Sequence, residues 1–294
     1  MTILETNIVT PEAENERLYN YAYIAFQKII PSRKGIKKAI KNKCILVDGE
    51  VGASGWKLRA GQRIDLLNLY TKVPKIYELP LKVLYEDEDV AVIHKPAGIV
   101  VSGNLYRTIY NALGYNLKRS TRLDALPYPT PCHRLDKSTS GCLVIAKTKS
   151  AQMRMGELFA TQQITKEYTA IVHGKLPEES TINEHIDGQS AITKYSVLER
   201  ITSNSGQDYS LLSLQPLTGR THQLRIHLSS QGSPILGDKL YGEIGNTLLH
   251  KGLFLCARMI NFEYGEISIK VKTDLPKKFE RVWRLFGSVD IEEF

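Results

Sequence analysis

Beyond residue 80 the apolar residues of this chain gather into short runs of strand length, separated by polar turns. Val83-Leu84-Tyr85 and Val90 to His94 flank the acidic turn Glu86-Asp87-Glu88-Asp89 and read as a hairpin. Cys142 to Ala146 is apolar without interruption, as expected of a strand buried on both faces. Glu167 to Val172, Thr193 to Leu198, Tyr209 to Leu214, Phe254 to Ile260 and Ile267 to Val271 also read as strands. Only Ala151 to Gln163, Thr221 to Ser230 and Lys277 to Phe286 read as helices in this part. Strands with irregularly interspersed helices predict an α+β fold: a mixed, mainly antiparallel β-sheet domain with flanking helices.

The N-terminal part follows a different pattern. Residues 1–15 are polar and acidic without periodicity, which predicts a loose tail. From Glu16 to Ile30 the residues Leu18, Tyr21, Ala22, Ala25, Phe26 and Ile29 recur at helical spacing. Pro31 breaks that pattern, and Ser32 can cap a second helix from Arg33 to about Asn42. A strand from Cys44 to Val47, the turn Asp48-Gly49 and a strand from Arg63 to Leu67 complete a small α/β unit over 16–68. Residues 69–80, with Pro74 and Pro80, read as a linker to a domain spanning 81–294.

Charge separates the same two parts. The net charge is +8, and between Pro31 and Lys75 there are 11 basic and 3 acidic residues, so this segment holds all of it. Arg33, Lys34, Lys37, Lys38, Lys41 and Lys43 crowd the predicted second helix with no acid among them. A basic segment beside a neutral body suits a polyanion, although a solvated helix face has the same composition.

Several function classes find no support. No apolar run reaches the roughly 18 residues of a membrane span, and Met1 to Glu5 has no secretory pattern. The four cysteines form no C-x-x-C pair, which fits a reducing cytoplasm and no zinc site. Rossmann and P-loop glycine patterns, internal repeats and a G-x-S-x-G elbow are all missing.

Two segments could carry chemistry. In His133-Arg134-Leu135-Asp136-Lys137-Ser138-Thr139-Ser140-Gly141, an acid is followed by small hydroxyl residues and a glycine just before a buried strand. Such a loop lets a substrate backbone approach, though a turn whose aspartate caps its own backbone looks the same. Arg122-Leu123-Asp124 repeats the tripeptide without the hydroxyl-rich tail. In Thr218-Gly219-Arg220-Thr221-His222-Gln223-Leu224-Arg225-Ile226-His227, a turn feeds a helix whose start is rich in cations, a natural anion site. His222 and His227 stand five apart, which does not suit a helical metal pair.

His133 to Gly141, continuing through Leu143-Val144-Ile145-Ala146-Lys147, resembles the H-R-L-D-x-x-T-S-G-x-x-x-x-A-K signature of RluA-type pseudouridine synthases. Other landmarks of that family follow in order: Lys95-Pro96-Ala97-Gly98, Thr108 to Leu113, Lys166-Glu167-Tyr168 with Gly174, Thr218 to His227, and Pro234 to Asp238 with Tyr241-Gly242. The resemblance spans roughly 81–286. The N-terminal unit resembles an S4-like RNA-binding domain, without the usual acid after Arg17-Leu18.

The resemblance implies isomerisation of uridine to pseudouridine in ribosomal or transfer RNA, by a cytoplasmic monomer with no cofactor and no metal. It implies that Asp136 is the catalytic aspartate, with Arg225 as the partner that favours its ionised form and Tyr168 as the residue that stacks on the target base. Arg134 would fill the space left by the flipped base, Thr139, Ser140 and His222 would hold substrate, and Lys95 and Arg220, grouped with them, would contact RNA or support the structure. The basic residues Arg33 to Lys43 would grip phosphates. Two rival classes are weaker. A silent RNA-binding protein would be expected to lose one of Asp136, Tyr168 or Arg225, and a glycosidase would need a second carboxylate that neither segment supplies.

Overall fold

Ile3–Ile8 forms a strand, β1, where the sequence predicts a loose tail. It pairs antiparallel with β4 (Arg63–Leu67), from Ile3 opposite Leu67 to Ile8 opposite Arg63. The strand buries little of its own side-chain surface, so pairing of backbone groups holds it and no apolar rhythm betrays it. The computed structural model describes residues 3–67, 74–242, 248 and 251–287, in two compact units divided between Val73 and Pro74. Of the expected linker, residues 69–73 lie outside the described residues, and 74–80 carry no regular structure.

In the first unit, β1 and β4 join β2 (Ile45–Val47) and β3 (Glu50–Val51) in a sheet of order β1-β4-β2-β3. Helix α1 (Leu18–Ala25) stops well short of the predicted Ile30, because the chain turns at Phe26 and Pro31 disfavours helical backbone just before it. Its Leu18 and Ala22, together with Phe26, enter a core with Ile36, Ile45, Ile64 and Leu66. Helix α2 (Arg33–Lys41) starts where Ser32 caps it, the hydroxyl accepting the Gly35 N–H at 3.0 Å. Ile36, Ala39 and Ile40 face inward, while Arg33, Lys34, Lys37, Lys38, Lys41 and Lys43 are all exposed.

The second unit is built on a ten-stranded sheet. From one edge it runs β10 (Glu179–Ile186), β11 (Gln189–Thr202), β12 (Asp208–Pro216), β9 (Thr165–His173), β13 (Leu255–Tyr264), β8 (Ser140–Thr148), β6 (Val90–Lys95) and β5 (Lys82–Glu86). Beside this path, β14 (Ile267–Lys272) pairs with β13 and β7 (Ala125–Pro131) with β8. Only β13 and β8 pair in parallel, so the sheet is mixed and mainly antiparallel. The helices are α3 (Ile109–Asn116), α4 (Lys149–Ala160), α5 (Gln223–Ser230) and α6 (Lys277–Leu285).

Strand β8 is buried along its whole length. Cys142, Val144 and Ala146 face the core that takes Ala151, Met155 and Leu158 of α4, and Leu143 and Ile145 face the one that takes Ile109 and Leu113 of α3. The continuous apolar run follows from these two covered faces. One edge of β8 serves two partners, β13 at Ser140 and Gly141 and β7 at Ile145 to Thr148. The loop 132–139 returns the chain from β7 into this fork. Gly141 lies where β13 comes closest: with φ at 118°, a Cβ there would sit 2.2 Å from the Ala257 carbonyl oxygen. Strand β7 escapes sequence reasoning because Pro127, Pro129 and Pro131 deny it the look of a strand, although an outlying strand tolerates them.

Candidate active site

The fork ends in a cavity of about 300 Å³ whose wall includes Arg134, Asp136, Tyr168, Arg220, His222 and Arg225. Segments far apart in sequence thus converge: the loop into β8, strand β9, and the turn into α5. Asp136 is partly exposed to the cavity, with 19% of its side-chain surface accessible. The Thr139 N–H closes its turn on the Asp136 carbonyl at 3.1 Å, and the neighbouring Leu135 is buried in the α3-side core.

Lys95 fixes this loop from behind. Its Nζ donates to the carbonyls of Thr139 at 2.7 Å and Pro96 at 3.0 Å and lies 3.4 Å from that of Lys137. The side chain is fully buried, and burial pushes its pKa down to about 8 against the pull of the Asp136 charge. Of the two roles expected for Lys95, RNA contact and structural support, its burial and its bonds fit the second: the ammonium, satisfied by loop carbonyls, clamps the Asp136 loop. The expectation that Ser140 holds substrate is corrected, since its side chain is buried at the start of β8, outside the cavity wall. Thr139 is also buried, but it borders the cavity.

Arg225 joins Asp136 to a second acid. Its Nη1 stands 3.6 Å from Asp136 Oδ2. Its Nε and Nη2 each donate at 2.7 Å to the two oxygens of Asp238, a bidentate pair. Asp238 Oδ1 also accepts the N–H groups of Leu240 and Tyr241 at 2.9 and 3.1 Å. Burial works to raise the Asp238 pKa, but these donors outweigh it and hold the group below the ordinary carboxylate range. Its side chain has no exposed surface and is not part of the cavity wall. Among the described residues Asp136 is the one carboxylate that lines the cavity.

On the other oxygen of Asp136, His222 Nε2 stands 3.8 Å from Oδ1. Tyr168 lies on β9 and turns to the same cavity. Burial first, then the Asp136 charge, pushes its phenol well above the ordinary tyrosine value, so it keeps its proton. Arg134 is exposed at the rim, as is Arg220, whose Nε donates to the Ser190 carbonyl at 3.1 Å. The basic residues of α2 belong to the other unit.

The Thr218 to His227 motif divides between cavity and scaffold. Gln223 is buried, accepts Thr218 Oγ1 at 2.7 Å and the Arg220 N–H at 3.0 Å, and donates to the Ile192 carbonyl and Thr193 Oγ1. His227 shares Thr193 Oγ1 at 3.0 Å through Nδ1. These residues pin α5 to β11, which leaves His222 and Arg225 to face Asp136. Sequence reasoning missed Asp238 and Tyr241 as members of the site. Both stood in a quoted motif, yet only burial and pairing distinguish them from turn residues. His133, too, is scaffold: its Nε2 accepts the Val144 N–H at 3.1 Å, and burial brings its pKa down to about 4.

Residues 89–230 match the RNA pseudouridylate synthase family. An RNA pseudouridine synthase of Aquifex aeolicus is 35% identical over 264 residues, 82% of this chain and 82% of that one. The chain belongs to the RNA pseudouridine synthase family. The ribosomal large subunit pseudouridine synthase D of Xanthomonas campestris pv. campestris is 37% identical over 241 residues, 75% of this chain and 70% of that one. Among solved structures, human RNA pseudouridylate synthase domain containing 1 superposes with a TM-score of 0.56 at 26% identity, covering 72% of this chain and 97% of that one. A pseudouridine synthase is an isomerase, and among the described residues the cavity brings together an accessible carboxylate, a paired guanidinium and an aromatic ring. Among the described residues no cluster of His, Cys, Asp and Glu could hold a metal ion, and no helix is long and apolar enough to cross a membrane.

Proposed function

We propose that this pseudouridine synthase acts on ribosomal RNA in the cytoplasm, with Asp136, Tyr168 and Arg225 as the residues of the reaction. The carrying observation is Asp136 itself, the accessible carboxylate of the cavity, flanked by Arg225 and His222 at separate oxygens. Contacts of 3.6 and 3.8 Å are long for hydrogen bonds, as often found before substrate closes a site. The target nucleotide leaves its stack, at a cost of a few kcal/mol, and enters the cavity. Arg134, exposed at the rim, takes the vacated place, since a planar guanidinium both stacks and meets phosphate.

As the C1′–N1 bond breaks, the Asp136 carboxylate meets the positive charge developing at C1′. The uracil turns against the Tyr168 ring and C5 bonds to C1′. The proton on C5 is lost and one is gained at N1, so the atoms of the nucleotide balance. Arg220, Thr139 and His222 hold the substrate. The ribosomal assignment rests on relatives such as the Xanthomonas campestris enzyme. The cytoplasm fits four cysteines that are all free. The N-terminal unit serves as an S4-like RNA grip through the exposed cations of α2.

The test is tritium release from RNA labelled at uridine C5, with unmodified ribosomal and transfer RNA in separate reactions and Asp136→Ala beside the wild type. Release from ribosomal RNA by the wild type alone is expected. Release from transfer RNA only would overturn the substrate, and equal release by Asp136→Ala would overturn the aspartate.

A further inference from the structure

Asp136 has a different neighbour at each oxygen, and the two neighbours meet behind it at one residue. Arg225 faces Oδ2 and His222 faces Oδ1. Tyr241 touches both. Its hydroxyl lies 2.9 Å from His222 Nδ1, with the two rings edge to face at 5.6 Å, and its ring centroid lies 5.0 Å from the Arg225 guanidinium carbon. Tyr241 is itself tied down: its N–H donates to Asp238 Oδ1 at 3.1 Å, and its carbonyl accepts Ser229 Oγ at 2.8 Å. Asp238 thus anchors Arg225 by its side chain and Tyr241 by its backbone.

The backbone of His222 supports a built arrangement. It adopts the left-handed conformation, φ 55° and ψ 20°, uncommon for a residue other than glycine, at the N-cap of α5. Its carbonyl accepts the Arg225 and Ile226 N–H groups at 3.0 Å, so the helix begins there while the ring points back at the Asp136 loop. Such positions persist only where the surroundings fix them, and they gather at functional sites.

We infer that Tyr241 is a positioning residue that fixes which nitrogen of His222 carries the proton, so that an Nε2–H faces Asp136. Neutral imidazole has one N–H and one lone pair. If Nδ1 kept the proton, the Nε2 lone pair would confront a carboxylate and repel it. When the Tyr241 hydroxyl donates to Nδ1, the proton goes to Nε2 and the carboxylate gains a donor on Oδ1 to match the Arg225 cation on Oδ2. The carboxylate is then oriented before substrate arrives. The inference rests on the reading of Asp136 as the reactive carboxylate.

Three variants test it on ribosomal RNA labelled at uridine C5. Tyr241→Phe removes the hydroxyl and keeps the ring over Arg225. Its single-turnover rate is expected to fall roughly 10- to 100-fold with RNA affinity unchanged, and the His222 nitrogen signals in NMR are expected to move away from the Nε2–H tautomer. His222→Gln offers an amide N–H toward Asp136 and has no tautomer to choose. It is expected to be more active than His222→Ala, and adding Tyr241→Phe to it is expected to cost nothing further. An unchanged tautomer in Tyr241→Phe, an equal loss in both backgrounds, or His222→Gln no better than His222→Ala would each overturn the inference. Asp136→Asn separates the two proposals: wild-type turnover there sinks the aspartate assignment, whereas an inactive Asp136→Asn beside an unaffected Tyr241→Phe sinks only this one.

Discussion

The tripeptide Arg-Leu-Asp occurs twice in this chain, at 122–124 and at 134–136, and the two copies have nothing in common beyond their letters. In the first, Leu123 is fully exposed and Arg122 lies 3.5 Å from Asp89. Asp124 caps α4: its Oδ2 accepts the Ser150 N–H and its carbonyl accepts that of Lys149, both at 2.8 Å. The hydrogen bonds to Ser150 hold its pKa below the ordinary value. In the second copy, Leu135 is buried, Arg134 is exposed at a cavity rim, and Asp136 faces Arg225 and His222. One aspartate spends its oxygens on backbone donors at the start of α4, and the other faces side chains brought from far along the chain. On the proposed role of Asp136, what separates a capping acid from a reactive one is whether backbone donors have already claimed it.

Exchange of each aspartate for asparagine is the most direct way to break this contrast. Asp136→Asn is expected to lower turnover at least about 10³-fold, while Asp124→Asn leaves it unchanged, as tritium release would measure. Equal losses would mean that the two copies are not distinct in function. Next comes the support behind the second copy. Asp238→Ala takes the bidentate partner from the buried Arg225 guanidinium and is expected to cost about 3–5 kcal/mol of stability, read from denaturant midpoints. Loss of turnover without loss of stability would move Asp238 from scaffold to chemistry.

The leucines sharpen the contrast on a smaller scale. Leu135→Ala is expected to destabilise by about 2–5 kcal/mol, and Leu123→Ala by nearly nothing, since it removes no buried contact. A pH titration tests the residue that leads into the second copy. Burial lowers the His133 pKa from 6.5 to about 4, so the folded protein favours the neutral ring. The corresponding stability is complete above pH 6.5 and is lost as pH falls through that window toward 4. In His133→Gln the fall in melting temperature across this window is expected to shrink, and an unchanged slope would refute it. The smallest effect belongs to Asp124→Ala, a shift of the melting temperature of no more than a few degrees.

Much of the strand plan was legible. The continuous run at Cys142 to Ala146 announced a strand covered on both faces, and Ser32 announced the start of α2. β1 and β7 were not legible, the one because pairing rather than burial holds it, the other because prolines interrupt it. Of the site, Asp136, Tyr168, Arg225, Arg134, Arg220, Thr139 and His222 were marked by their motifs and do border one cavity. Lys95 and Ser140 bore the same marks and turned out to face inward. A lysine that clamps carbonyls and one that meets a phosphate look alike in sequence, because burial depends on the neighbours that fold over them.

By itself the sequence determined the class of fold, the family and the residue types at the reactive centre, since periodicity and ordered motifs are written locally along the chain. Only the tertiary structure decided that Asp238 stands behind Arg225 and that Tyr241 touches both partners of Asp136. The physical reason is range: spacing along a strand or helix follows from neighbours a few residues away. The state of a carboxylate follows instead from donors and charges within a few ångströms, which this fold gathers from β8, β9, α5 and the segment beyond it.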